Sequence, residues 1–171
     1  NSLTTLNVQG ATQLEYIDCS YNMITSLNVS NLTALEDLYC YQNSISSLNT
    51  NNATSIEVIN AEANELTTID VTTNVALKEL GFMSNFLSTV DLTNNPLLTG
   101  IYLSNNQISS IDVSNKPALE RLYIENNSLS SLDLTSNTAL MDLKCSENSL
   151  TTLDVTNNTA LTNLRCYSNS L

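Results

Sequence analysis

NSLTTLDVTNNTALTNLRCYS, residues 148–168, is the stretch that decides the fold. Asparagine opens it, and asparagine recurs at 1, 22, 43, 64, 85, 106, 127, 148 and 169, a constant spacing of 21 residues without insertion or deletion. Eight whole copies fill residues 1–168, and three residues of a ninth follow. A fixed period of this size marks a solenoid, in which each coil buries its apolar face only against its neighbours.

Numbered from its asparagine, each coil carries leucine-like residues at positions 3, 6, 8, 14, 17 and 19. Position 14, for example, reads Leu14, Leu35, Ile56, Leu77, Leu98, Leu119, Leu140 and Leu161. The pairs 6/8 and 17/19 alternate with polar residues, the period-two mark of a strand with one buried face. Neither segment has the 3.6-residue period of an amphipathic helix, and spacers such as VTNNTA carry turn residues. Two extended segments per coil, joined by turns, are therefore expected. The recurrent asparagine is expected to bridge coils, because its amide offers two donors and an acceptor where backbone groups leave the ladder.

The half-coil LTNLRCYSNSL, residues 161–171, resembles the leucine-rich-repeat core LxxLxLxxNxL, with cysteine at the third apolar place. The match recurs in every copy. The length of 21 residues and the LDVTNNTAL half are similar to bacterial extracellular leucine-rich-repeat proteins, including the internalins. That resemblance implies a parallel β-sheet on the concave face of a curved array used to bind other molecules, with little or no α-helix. The chain departs from it in the other half, where LTTLDVTNN is itself LxxLxVxxN; a second short β-ladder on the opposite face is expected instead of 3₁₀ turns.

Residues 1–171 are expected to form one leucine-rich-repeat domain. Neither end departs from the internal pattern, whereas solenoids need polar caps, so the chain reads as a segment of a longer protein with flanking domains. The start is in register with the repeat and shows no signal peptide, and no apolar run reaches the ~20 residues of a membrane span. Seventeen acidic residues against five basic ones give a net charge of −12. Phosphate backbones and anionic membrane surfaces both need clustered Lys and Arg, so nucleic acid and membrane insertion are not expected.

The four cysteines, Cys19, Cys40, Cys145 and Cys166, all stand at position 19, which Ala61, Phe82, Leu103 and Ile124 fill elsewhere. They read as buried thiols behaving as small hydrophobes; a disulfide within each neighbouring pair is the alternative, to be decided by counting thiols. Position 7 runs Asn7, Asn28, Asn49, then Asp70, Asp91, Asp112, Asp133 and Asp154. A solvated face whose carboxylates accept turn N–H groups is expected. The alternative is a calcium row, since hard cations favour clustered carboxylates, although no D-x-D-x-D-G loop is present. Flanking Ser and Thr at positions 5 and 9 resemble an ice-binding array, but the charged row down its middle argues against that use. In the third coil Thr50 takes an apolar place; a buried threonine needs a partner, and irregularity is expected around residues 49–63.

In a repeat protein the scaffold is what stays constant, so specific function is sought where copies differ. Positions 16, 18 and 20 vary most and flank the buried 17 and 19. Six of the seven tyrosines lie there, Tyr16, Tyr39, Tyr41, Tyr102, Tyr123 and Tyr167, and the seventh, Tyr21, follows immediately. Tyrosine gives a large contact area with a polar tip at low entropic cost. If it merely suited a solvent-facing strand, it would also appear on the second strand. The expected ligand-binding residues are Tyr39, Tyr41, Glu62, Met83, Tyr102, Arg121, Tyr123, Arg165 and Tyr167. Asn60, Gly81 and Gly100 are expected to leave a shallow depression between Tyr39/Tyr41 and Tyr102/Tyr123.

A non-catalytic module of a secreted or surface-attached bacterial protein, recognising protein or carbohydrate, is the function expected. A structural spacer is the rival. An enzyme is not expected, because the chain has no histidine and no nucleophile–base pair stands out from the repeat. No cofactor is implied.

Overall fold

The computed structural model describes residues 1–171 and contains no helix. Ten three-residue strands follow one another: β1 (Tyr16–Asp18), β2 (Ser26–Asn28), β3 (Asp37–Tyr39), β4 (Ser47–Asn49), β5 (Val58–Asn60), β6 (Glu79–Gly81), β7 (Gly100–Tyr102), β8 (Arg121–Tyr123), β9 (Asp142–Lys144) and β10 (Asn163–Arg165). Eight of them form one parallel sheet in the order β1-β3-β5-β6-β7-β8-β9-β10. Register follows the repeat without slippage, as in Ile17↔Leu38 and Leu122↔Leu143. Backbone bonding runs past the strands on both sides: Glu36 N–H donates to Glu15 at 2.8 Å, and Tyr21 N–H to Tyr41 at 3.0 Å.

The core is a set of stacked columns. The residues at position 3, Ile24, Ile45, Leu66, Leu87, Ile108, Leu129 and Leu150, are wholly enclosed, as are Leu38, Ile59, Leu80, Ile101, Leu122 and Leu143 at position 17. In the position-19 column Phe82 is the largest fully buried side chain, set between Ala61 and Leu103. A large ring beside a small residue keeps the column at constant volume, as close packing demands. All four cysteines are free thiols; Cys19, Cys40 and Cys145 are buried and Cys166 is half-buried. Burial pushes the Cys145 thiol up to about 12 and, with Asp18 adding to it, the Cys19 thiol up to about 11.

The recurrent asparagine bridges coils as its amide chemistry requires. Its Oδ1 accepts the N–H nineteen residues back, from Leu3 to Asn22 at 3.1 Å through to Leu150 to Asn169 at 3.0 Å. Its Nδ2 donates to the carbonyl twenty-four residues back, as Asn85 does to Ala61 at 3.0 Å and Asn148 to Ile124 at 2.9 Å.

A second ladder lies on the opposite side of the coil. Position 11 reads Ala11, Leu32 and Ala53, then Asn74, Asn95, Lys116, Asn137 and Asn158; all five polar members are buried. Asn95 Nδ2 donates to Val71 and Asn74 carbonyls at 3.1 and 2.9 Å, and Asn137 does the same to Val113 and Lys116 at 2.9 and 3.0 Å. Between the second and third coils, where this column is apolar, backbone groups join the coils directly: β2 pairs with β4, Val29 N–H donates to Asn49 and Asn31 N–H to Asn51, both at 2.9 Å. Beyond the third coil no backbone bond joins positions 7 to 10 of one coil to those of the coil before it. In these coils an amide side chain takes the place of the direct backbone bond. The second β-ladder expected from the sequence is thus present only between the second and third coils.

The turn changes at the same place. Gly10, Asn31 and Asn52 at position 10 have positive φ (86°, 62° and 61°), whereas the five later coils do not. Glycine and asparagine tolerate this left-handed region best. The irregularity expected around residues 49–63 is confined to this face, where the ladder ends and the turn changes; Thr50 itself finds partners, its hydroxyl donating to Asn74 Oδ1 at 2.8 Å and lying 3.2 Å from the Asp70 carbonyl. β5 therefore keeps its register with both neighbours.

Lys116 stands where its neighbours have asparagine, and its Nζ takes over the amide's bond, donating to the Leu92 carbonyl at 3.1 Å and to Asn115 Oδ1. Desolvation holds this ammonium below the usual lysine range, against the opposing pull of Asp112 and Asp91. A lysine whose folded pKa is depressed binds its proton more weakly than the unfolded chain does, so its penalty lifts as pH rises through the lowered value. Comparing Lys116→Asn with wild type by thermal melts between pH 7 and about 9.5, below the ordinary lysine range, is expected to show the variant more stable at pH 7. The gap should narrow as pH climbs. A constant gap would mean that Lys116 carries no charge penalty.

Candidate binding face

The sheet presents three outward columns to solvent. Their side chains form two clusters rather than one, and the tyrosines divide between them. On β7 and β8, Tyr102 and Tyr123 meet edge to face, with centroids 5.1 Å apart and planes at 80°. The Tyr123 hydroxyl donates to Asp142 Oδ2 at 2.7 Å, and this bond together with burial raises the phenol to about 12. Lys144 Nζ sits 3.6 Å from the centre of the Tyr123 ring. Arg121 reaches over the seventh strand to Glu79 on the sixth at 3.2 Å, which Gly100 permits because it puts no side chain between them.

Gly100 does not leave a depression. A Cβ there would stand 2.8 Å from the Tyr102 hydroxyl, so the Tyr102 ring lies over the glycine and fills the space. What remains open in the middle is a hollow of about 100 Å³ between Tyr39, Asn60, Gly81 and Tyr102. Glu62 and Met83 do not line it; Glu62 faces the amino-terminal cluster.

That cluster is the larger concavity, about 550 Å³, walled by Tyr16, Tyr21, Tyr39 and Tyr41 with Asp18 and Glu62. Tyr21 and Tyr41 stand at 81° with centroids 5.1 Å apart, and Tyr16 and Tyr39 at 41° and 5.6 Å. Tyr21 reaches its place through a left-handed backbone, φ 56°, shared by every residue at position 21 from Gln42 to Ser168. Of the nine residues singled out in the sequence, Tyr39, Tyr41 and Glu62 meet here, while Tyr102, Arg121 and Tyr123 meet in the other cluster. Met83 joins neither. Arg165 and Tyr167 lie further along, exposed in the last coil. Tyr16, Tyr21 and Asp18 also belong to the larger hollow; Tyr16 and Tyr21 stand among the seven tyrosines of this face, and the signal for Asp18 is its place one repeat before Tyr39.

On the opposite face the aspartates at position 7 close small turns. Asp133 Oδ1 accepts the Thr135 hydroxyl at 2.6 Å and its N–H at 2.9 Å, and Asp70, Asp91, Asp112 and Asp154 accept the equivalent N–H. These bonds hold the five carboxyls below their ordinary range. Asn7, Asn28 and Asn49 make the same turn bond, so the charge is incidental to it. No three acidic side chains converge on one point.

A parallel array of 21-residue coils with a single-register sheet and an asparagine ladder defines the chain as a leucine-rich-repeat protein. Its structural relatives are of the internalin type. It is 38% identical to the functional domain of InlJ from Listeria monocytogenes, a structure that includes a cysteine ladder, with a TM-score of 0.96 over 99% of this chain and 38% of that one. It is 26% identical to the internalin InlF of Listeria monocytogenes, at a TM-score of 0.88 over 98% of this chain and 52% of that one. The effector YopM of Yersinia pestis shares the fold at 24% identity and a TM-score of 0.72, over 94% of this chain and 51% of YopM. The chain thus spans about two fifths to one half of the length of these relatives. No protein-family model and no curated protein sequence matches it.

Proposed function

We propose that the chain is a non-catalytic protein-binding module of a secreted or cell-surface bacterial protein, which grips its partner with the tyrosine-bearing concave face. The observation that carries this reading is the distribution of tyrosine: all seven stand on or beside the outward columns of one sheet, and none on the repetitive opposite face. Ring-to-ring packing at 5.1 Å within both clusters fixes the rings before a partner arrives, and rigid aromatic anchors lose little entropy on binding. Likeness to internalins supports an extracellular setting.

Probed against purified secreted and cell-surface proteins, the wild-type chain is expected to bind a member that the Tyr102→Ala/Tyr123→Ala variant binds about 100-fold more weakly, with unchanged circular dichroism. A partner held equally by both proteins would overturn the site. Absence of any partner, with function of the whole protein surviving deletion of a coil, would identify a spacer.

A further inference from the structure

We infer that the hollow walled by Tyr16, Tyr21, Tyr39 and Tyr41 is a receptor for a protonated lysine or arginine side chain carried by a protein partner. The inference rests on the reading of this face as a protein-binding surface and names what the larger cluster would take.

Its lining is four tyrosines, two carboxylates and two amides, Gln42 and Asn60. Two ring pairs, one set at 81° and the other at 41°, line a space of about 550 Å³ together with Asp18 and Glu62. A ring face carries negative electrostatic potential and attracts a cation within about 6 Å of its centre. Asp37, beside Tyr39, adds to the negative field, and the Tyr39 phenol is raised by burial and then by that carboxylate.

No lysine or arginine side chain of these coils answers this field; the Asn1 ammonium is held by the Tyr21 carbonyl at 3.0 Å. The first basic residue in the sequence is Lys78; residues 1–77 contain eight carboxylates (Glu15, Asp18, Glu36, Asp37, Glu57, Glu62, Glu65 and Asp70) and no lysine or arginine. The other tyrosine cluster shows what is missing. There the same edge-to-face pair, with a carboxylate beside it, is occupied by the chain's own Lys144, 3.6 Å from the centre of the Tyr123 ring. Tyr123 and Lys144 are register partners on neighbouring strands; the register partner of Tyr39 on β1 is Asp18. The Tyr102–Tyr123 cluster is therefore self-neutralised, and the amino-terminal cluster keeps rings and carboxylates with a basic side chain left to come from outside. A neutral sugar could stack on the rings, but it would gain nothing from the two carboxylates as an ion partner.

The test uses the chain with 13C-labelled tyrosine and three peptides: acetyl-Gly-Ser-Lys-Ser-Gly-amide, its arginine counterpart, and the lysine peptide acetylated on Nζ. The two charged peptides are expected to shift the ring signals of Tyr16, Tyr21, Tyr39 and Tyr41 along one common binding curve, in the millimolar range suited to a single side chain. The acetylated peptide should bind about tenfold more weakly. Tyr41→Ala and Tyr16→Ala, which leave net charge unchanged and remove exposed or half-buried rings, should each weaken binding about tenfold, whereas Tyr167→Ala should not. Equal binding of the acetylated peptide would overturn the inference. So would shifts spread over the whole acidic surface and indifferent to the Tyr16 and Tyr41 changes, which is general charge attraction. Ring shifts produced by methyl glucoside and not by the charged peptides would make the hollow a sugar subsite instead. Should the peptides fail while a protein partner still depends on Tyr102 and Tyr123, only this inference falls; should they bind while no partner depends on the face, the functional reading falls and the cation receptor stands.

Discussion

Replacing Asn85 by alanine is expected to lower unfolding free energy by about 3 to 5 kcal/mol and to divide one unfolding transition into two. Asn85 is 5% exposed. Its Oδ1 is the sole partner of the Leu66 N–H, at 3.0 Å, and its Nδ2 serves the carbonyls of Ala61, Phe82 and Met83 at 3.0, 3.2 and 3.2 Å. The carbonyls each keep one other donor, respectively Asn64, Asn106 and the Ala63 N–H. The Leu66 N–H keeps none, and an orphaned buried donor costs about 1 to 3 kcal/mol beyond the roughly 1 kcal/mol of each lost bond. Because coils couple only to neighbours, the loss falls on one interface and the array should part there, residues 1–84 from 85–171. Urea unfolding followed by circular dichroism and by tyrosine fluorescence measures both effects. A single transition within about 1 kcal/mol of wild type would show that the ladder decorates the turn rather than holding it.

Phe82→Ala is expected to cost about 4 kcal/mol, the largest effect available in the apolar core. The ring is fully buried and its neighbour in the column, Ala61, is already small, so the alanine would leave two short side chains in succession with nothing to collapse into the gap. A cavity adds its own penalty to the lost transfer energy. Ala61→Leu alone should destabilise by overpacking, about 1 to 3 kcal/mol, yet recover stability when combined with Phe82→Ala. The double-mutant cycle reads that coupling directly; additive losses would mean that the two residues do not share one volume.

The scaffold was legible in the sequence because its physics repeats. Asn1 and its successors never vary, so their role as coil bridges followed from the amide alone. The position-11 ladder was hidden because its column mixes Ala11, Leu32 and Ala53 with four asparagines and Lys116, and asparagine in VTNNTA is equally a turn residue. Two turn geometries share one repeat length, which no period count can separate. On the binding face, the columns were legible and the contacts between them were not. Small residues such as Gly100 promise open space, yet the ring of Tyr102, two residues along the same strand, lies over it. Arg121 and Glu79 pair across 42 residues, a reach visible only when the strand between them is known to offer no side chain.

The change of turn at Thr50 and Asn74 bears on how such an array can grow. Tandem duplication adds whole coils, and a new coil must suit the column it enters. A second copy of residues 127–147 inserted beside the first would set asparagine against asparagine and find the carbonyls its amide needs. A copy of residues 22–42 in the same place would bring Leu32 into that column and a left-handed Asn31 into the turn, interrupting the run of bridges. The molecule therefore has two lineages of spare part, three coils of one and five of the other, and the Thr50 hydroxyl on Asn74 is the splice that lets them be read as one.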